Sequence, residues 1–171
     1  GSEMCIRDRF CLDAVYCRTQ EKADKIAREY QIHTTTSKEE CAAYKPDFAV
    51  IAVNKAEICN VAVEWMDRGI TVLSETPAAL DIEALKKLYG YYKAGKKQVV
   101  AEQYREYPSN KAALRLIGSG IIGDVNCMNI SLAHEYHGVS LMRAYLGIRP
   151  DENFTVSGKT VSYTHLTLPT I

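Results

Sequence analysis

The sequence has no excess of either charge, since 21 Lys and Arg balance 21 Asp and Glu over 171 residues. A chain that binds nucleic acid mainly by electrostatics carries a basic surplus, so no nucleic-acid partner is expected. No apolar run approaches the roughly 18 residues needed to cross a bilayer, so no membrane partner is expected either. Its six cysteines include no CxxC, and Cys5, Cys11 and Cys17 recur at a spacing that matches no common zinc-ligand pattern. The start lacks a basic stretch followed by an apolar one, so no signal peptide is visible. The cysteines therefore read as reduced, small hydrophobes of a cytoplasmic protein, with a disulfide framework as the alternative. There is no internal repeat and no low-complexity stretch.

What is present suits a soluble globular chain: 47% apolar and 25% charged residues. Phe10–Cys17 is short, apolar and β-rich and reads as a buried strand. A helix follows over Lys22–Tyr30, with Ala23, Ile26, Ala27 and Tyr30 on one face. Ser37 and Glu40 form a capping box that opens a short helix ending before Pro46. Asp47–Val53 is a second apolar strand. The helix from Ala56 to Arg68 places Ile58, Val61, Ala62 and Trp65 inward, and Gly69 ends it. Ile70–Ser74 is a third strand. Asp81 caps the next helix, whose apolar stripe is Ile82, Leu85, Tyr89 and Tyr92. Gln98–Glu102 is a fourth strand. Continuous apolar strands alternating with helices imply a parallel sheet covered on both faces, a doubly wound α/β arrangement.

Beyond residue 105 the pattern changes. Pro108–Ser119 reads as a helix with Ala113, Leu114 and Ile117 inward. Asp124–Ala133 alternates like a strand of a mixed or antiparallel sheet. Tyr136–Leu146 reads as a helix, and Phe154–Lys159 as one more strand. Gly118-Ser119-Gly120-Ile121-Ile122-Gly123 spells GxGxxG, but a phosphate-binding loop needs a strand before it and a helix after it. Here the order is reversed, so these glycines read as a helix stop and a turn. His134-Glu135-Tyr136-His137 is HExH rather than HExxH, which puts the Glu out of register for a zinc protease.

Several strings in order resemble the Gfo/Idh/MocA family of NAD(P)-dependent oxidoreductases. They are Ala14-Val15-Tyr16-Cys17-Arg18-Thr19, Ala49-Val50-Ile51-Ala52-Val53-Asn54 and Val72-Leu73-Ser74-Glu75-Thr76-Pro77. Val100-Ala101-Glu102-Gln103-Tyr104-Arg105, Ser119–Val125 and His137–Gly147 continue the series. The resemblance implies a Rossmann-like dinucleotide-binding domain followed by an α+β mixed-sheet domain, with the active site between them.

The resemblance also implies roles. Arg18 and Thr19 fall where the family grips the adenosine ribose. Arg18 suits a 2′-phosphate, so the cofactor leans to NADP over NAD; a solvent-facing arginine at a strand end is the alternative. Val53 and Asn54 fall in the loop near the nicotinamide ribose and pyrophosphate. Glu75, Thr76 and Pro77 occupy the family's Glu-Lys-Pro, with Glu75 and Pro77 at the cofactor. Thr76 replaces the lysine expected to hold the reacting hydroxyl. His137 matches the acid/base histidine, and a structural histidine at a helix start is the alternative reading. Tyr104 and Arg105 fall in the substrate cleft. No metal site is implied.

Residues 1–9 and 161–171 resemble translated sequencing adapter of the kind found at the edges of metagenomic assemblies. The expected organisation is then an internal fragment. Residues 10–105 are a partial dinucleotide-binding domain lacking its first βα unit, and 106–160 are the start of the substrate domain. The parent is expected to be a homo-oligomer that transfers hydride between a nicotinamide and a sugar- or polyol-like hydroxyl. A non-catalytic nucleotide- or sugar-binding relative is the alternative.

Overall fold

A computed structural model of the chain describes residues 10–131 and 135–149, together with 152, 155 and 157. The chain divides into two compact units, Gly1–Glu106 and Tyr107–Ile171.

The first unit alternates strand and helix throughout. β1 (Val15–Tyr16) and β2 (Thr34–Thr35) pair in parallel, with α1 (Gln20–Tyr30) as the crossover. Only two residues of the expected Phe10–Cys17 strand sit in this ladder, because β2 offers a partner just two residues long. Thr19 starts α1 by accepting the Lys22 N–H at 3.3 Å. Ala23 is buried and Ile26 and Ala27 are half-buried, as the helical stripe requires, but Tyr30 at the end of the helix is exposed.

α2 (Lys38–Ala43) begins at Ser37, whose hydroxyl accepts the Glu40 N–H at 3.1 Å. The capping box is only half formed. Glu40 does not return to the Ser37 N–H; its carboxylate accepts the Thr35 hydroxyl and bonds His33 Nε2 at 2.8 Å. The Ser37 N–H donates to Thr35 Oγ1 at 3.0 Å instead. The orphan donor is satisfied from the preceding strand, which ties α2 to β2.

β3 (Phe48–Ile51), β4 (Thr71–Ser74) and β5 (Gln98–Val100) form a second parallel sheet in that spatial order. The crossovers are α3 (Ile58–Asp67) and α4 (Ile82–Lys93). Ala49 pairs with Val72 and Ile51 with Ser74, so these four share one face. Ile51 and Val72 lie in the core with Cys59, Ala62, Val63, Trp65 and Met66 of α3. The opposite face carries Phe48, Val50, Leu73 and Val99 and is largely bare: Val50 is 63% exposed and Val99 58%, while Leu73 is half-buried and Phe48 meets the Phe10 ring edge-on. A parallel sheet is normally covered on both faces, so one layer of cover is lacking among the described residues.

α4 corrects the sequence expectation. Asp81 caps it as expected, accepting the Ala84 N–H at 2.7 Å. The stripe Ile82, Leu85, Tyr89 and Tyr92 nevertheless points to solvent, and each of the four is more than half exposed. The buried face is Leu88, flanked by partly buried Ala84 and Tyr91. The small Ala84 lets the helix approach α3 closely, with its carbonyl 3.7 Å from Cys59 Sγ. Tyr91 also donates its hydroxyl to Asp67 at 3.1 Å. Close backbone approach and a tyrosine with a hydrogen-bond partner set the helix phase over the bulkier stripe.

The second unit holds α5 (Pro108–Gly118) and α6 (Glu135–Tyr145), joined by the Tyr145 hydroxyl donating to Asn110 Oδ1 at 2.8 Å. Ala113, Leu114 and Ile117 are half-buried, as the stripe of α5 predicts. Gly118–Gly123 is the end of α5 and the turn after it, with Gly120 at φ 73° and Gly123 at φ 68°. That bears out the reading of GxGxxG as a stop. The strand expected over 124–133 is absent from residues 124–131. Met128 and Ile130 are half-buried and Asn129 between them exposed, but Val125 of the opposite set is half-buried and Asn126 exposed, so the alternation holds only over 127–131. No strand among the described residues pairs with it, and a strand exists only through its ladder. Residues 132–134, His134 among them, and all but two of 154–159 lie outside the described residues.

Candidate cofactor and substrate site

The ends of parallel strands place most of the candidate residues. In an open parallel α/β sheet, ligands bind beyond the carboxyl ends of the strands. Val53 and Asn54 follow β3, Glu75, Thr76 and Pro77 follow β4, and Tyr104 and Arg105 lie in a single 3-10 turn after β5 (Gln103–Glu106). These three strands are neighbours in one sheet, so these seven residues are carried on consecutive loops at one edge. Arg18 and Thr19 occupy the same position after β1, in the two-stranded sheet. His137 belongs to α6 in the second unit and is 7% exposed.

The loop after β4 is held from three sides. The Glu75 N–H donates to the Ile51 carbonyl at 3.0 Å, and the Ala101 N–H to the Ser74 carbonyl at 2.8 Å. Ser74 is fully buried, and its hydroxyl accepts from Gln98 Nε2 at 2.9 Å. The strand thus ends on a satisfied polar pair inside the sheet. Neither Ser74 nor Gln98 figures among the residues singled out from sequence. The signal was a serine closing an otherwise apolar strand. Pro77 is buried, Thr76 half-buried and Glu75 exposed, and the Thr76–Pro77 peptide is cis. One Glu75 oxygen accepts the Thr76 N–H at 3.2 Å.

Other candidates are also used locally. Asn54 Oδ1 accepts the Ala56 N–H at 3.1 Å and its carbonyl accepts the Glu57 N–H at 2.8 Å, a turn that leads into α3. Thr19 is the cap of α1, which leaves its neighbour Arg18 exposed at the strand end. The Tyr104 N–H donates to Glu102 Oε1 at 3.1 Å. Away from this edge, toward the end of α3, the Lys38 ammonium and Arg68 hold the Glu64 carboxylate below its ordinary 4.5, Lys38 with the larger effect. The pair links α2 to α3.

The residues present fit one end of a dinucleotide. An exposed carboxylate and an exposed guanidinium at strand ends suit ribose hydroxyls and a phosphate. A pyrophosphate cradle is a glycine turn from strand to helix. The positive-φ glycines among the described residues all lie in turns after helices, so no such cradle is found there. No group of His, Cys, Asp and Glu suited to a metal ion occurs among the described residues. The described cysteines are free thiols; Cys17, Cys41 and Cys59 are buried and Cys11 and Cys127 exposed. No helix among them is long and apolar enough to cross a membrane.

Parallel strands, right-order crossovers and a polar edge define a nucleotide-binding type of α/β fold. The chain belongs to the GFO_IDH_MocA oxidoreductase family with an NAD-binding Rossmann fold, whose sequence model it matches over residues 3–103. Solved structures agree on the fold. An oxidoreductase from Thermotoga maritima superposes with a TM-score of 0.67 at 22% identity, over 83% of this chain and 53% of its own. GenD2 from gentamicin A biosynthesis, solved with NAD, gives 0.66 at 19%, over 81% and 47%. The scyllo-inositol dehydrogenase of Lactobacillus casei gives 0.58 at 22%, over 66% and 35%. The chain spans between about a third and a half of the length of these structures. No curated protein matches it.

Proposed function

We propose that this chain is the cofactor-side part of an oxidoreductase that moves hydride between a nicotinamide dinucleotide and a sugar- or polyol-like hydroxyl. The observation that carries this is the single polar edge of β3, β4 and β5, where Asn54, Glu75 and Thr76 sit on adjacent loops. Glu75 is assigned to the nicotinamide ribose, with Val53, Asn54 and Pro77 shaping the loops around it. Arg18, exposed beside the Thr19 cap, is assigned to the 2′-phosphate of NADP, with NAD as the weaker ligand. Tyr104 and Arg105 line the substrate side, and His137 holds or moves the hydroxyl proton. The nicotinamide supplies the hydride chemistry, and the protein supplies binding and orientation. The largely bare face of Phe48, Val50, Leu73 and Val99 supports a further βα unit, whose helix covers that face and whose turn cradles the pyrophosphate. The working protein is proposed to be a cytoplasmic homo-oligomer.

The test is titration of NADPH and NADH into the product of the complete gene, read by nicotinamide fluorescence, followed by assay against polyols. NADPH binding tighter than NADH, with polyol-dependent reduction of NADP, is the expected result. Failure to bind either nucleotide refutes it. Thr76 in place of a lysine favours a second reading, a relative that binds nucleotide or sugar without turnover. Binding with no reduction across a broad polyol panel would establish that reading, and any turnover removes it.

A further inference from the structure

Ser74 closes β4 with a hydroxyl at a position where an apolar side chain would fit. It is fully buried, and Ile51 opposite it and Val72 on the same face are apolar core residues. Gln98 lies half-buried on that face too, since Val72 pairs with Gln98 and Ser74 with Val100. Its side chain therefore runs diagonally across the ladder and brings Nε2 within 2.9 Å of Ser74 Oγ.

Stability alone does not call for this pair. A hydrogen bond inside a protein replaces bonds to water, and exchanging both partners for apolar groups of similar shape is close to neutral. What a satisfied buried pair adds is selection among packings, because other arrangements leave a polar group buried and unbonded. β5 needs such a selection. It is three residues long, Gln98–Val100, and its two valines are consecutive. A one-residue slip along β4 exchanges the valine that faces the helices. Apolar burial does not tell these registers apart, with Val99 58% and Val100 38% exposed. Covering the outer face would not change this, since a strand buried on both sides accepts a valine in either direction. The Gln98 amide does tell them apart, because a one-residue slip turns it to the opposite face, away from Ser74.

The register matters to the loops that follow. Glu75 and Thr76 continue from β4, and Tyr104 and Arg105 follow β5. A one-residue slip displaces one loop against the other by about 3.3 Å. A misplacement of about 1 Å at a reacting centre costs on the order of a hundredfold in rate.

We propose that Ser74 and Gln98 are positioning residues. Their hydrogen bond locks the register of β5 on β4, and so aligns the substrate-side loop of Tyr104 and Arg105 with the cofactor-side loop of Glu75 and Thr76. The lock is a property of the sheet, and its effect on turnover rests on the oxidoreductase function proposed above.

The test uses the product of the complete gene. Gln98→Met alone leaves the Ser74 hydroxyl buried and unbonded, so the deciding variant combines Ser74→Ala with Gln98→Met. It is expected to fold by circular dichroism, with a urea midpoint close to that of the parent. Amide exchange at Ala101, whose N–H donates to the Ser74 carbonyl at 2.8 Å, is expected to quicken by about tenfold or more. The kcat/KM for a polyol that the parent turns over should fall by about a hundredfold, while the NADPH dissociation constant stays within about twofold. Unchanged exchange at Ala101 overturns the lock. Quickened exchange with unchanged kcat/KM overturns the positioning role, and a loss of NADPH affinity as large as the loss of kcat/KM does the same. A double variant that does not fold overturns both, since the pair would then hold the fold and not its alignment. A parent with no nucleotide binding or no turnover removes the oxidoreductase function and the positioning role with it, and exchange at Ala101 still decides the lock by itself.

Discussion

Two leucines three residues apart on one helix make the sharpest test of how α4 is seated. Leu88 is 7% exposed and belongs to the core cluster with Ala62, Val63 and Met66 of α3. Leu85 is 53% exposed. Truncating a buried leucine removes its transfer free energy and leaves a cavity, together about 2–5 kcal/mol. Leu88→Ala is expected near the middle of that range, about 3 kcal/mol. Leu85→Ala leaves no cavity, and a surface change of this sort costs about 0.5 kcal/mol or less. With a urea slope of about 2 kcal/mol per molar, the midpoints should fall by roughly 1.5 M and under about 0.3 M respectively. The measurement is urea unfolding followed by circular dichroism. Equal costs, or a larger cost for Leu85, would refute the seating and restore the stripe of 82, 85, 89 and 92 as the buried face.

Asp81→Ala removes the side-chain acceptor of the Ala84 N–H and should cost about 1 kcal/mol in the same urea assay. Glu64 is held below its ordinary 4.5 by Lys38 and then Arg68, so it binds its proton later in the folded than in the unfolded chain. Its contribution is present above about pH 4.5 and fades as pH falls below that through the folded value, so the urea midpoint should drop on acidification. Glu64→Gln should lower the midpoint at pH 7 and flatten that part of the acid profile. Arg18→Ala in the product of the complete gene should weaken NADPH by about tenfold and leave NADH nearly unchanged, as read by nicotinamide fluorescence. An equal loss for both nucleotides would remove Arg18 from the 2′-phosphate.

Periodicity and caps made the element order of the first unit legible. Ser37 and Asp81 stand where their helices begin, and Ile51, Val72 and Trp65 are core residues. What misled was pattern without partners. Residues 124–131 alternate, but a strand is a property of two chains of residues, and one sequence window holds only one. α4 carries two apolar stripes, and choosing between them needed the surface of α3. The smaller stripe won because Ala84 permits contact with the Cys59 region and Tyr91 finds Asp67. Glu40 was expected to cap its own helix, and Thr35 and His33 took its carboxylate instead.

The candidate site divides along the same line. The candidates from Asn54 to Arg105 came from the resemblance, and element order accounts for their sharing one edge, because a parallel sheet delivers its loops there. The buried Ser74–Gln98 pair could not be located from element order, since its partners lie on different strands. That pair bears on what Thr76 means. The frame of the loop after β4 is intact: Glu75 is fixed by the Ile51 carbonyl, Ser74 by Gln98 and Ala101, and Pro77 is buried. Where the resemblance implies a lysine, the chain presents the neutral Thr76 on a backbone held by these bonds. Under the proposed function, a neutral hydroxyl on that frame serves to bind and orient, and moving the proton falls to another group. His137 is the residue assigned that work, so replacing it should abolish turnover and leave nucleotide affinity unchanged, while Thr76→Val should weaken substrate binding more than it slows the reaction.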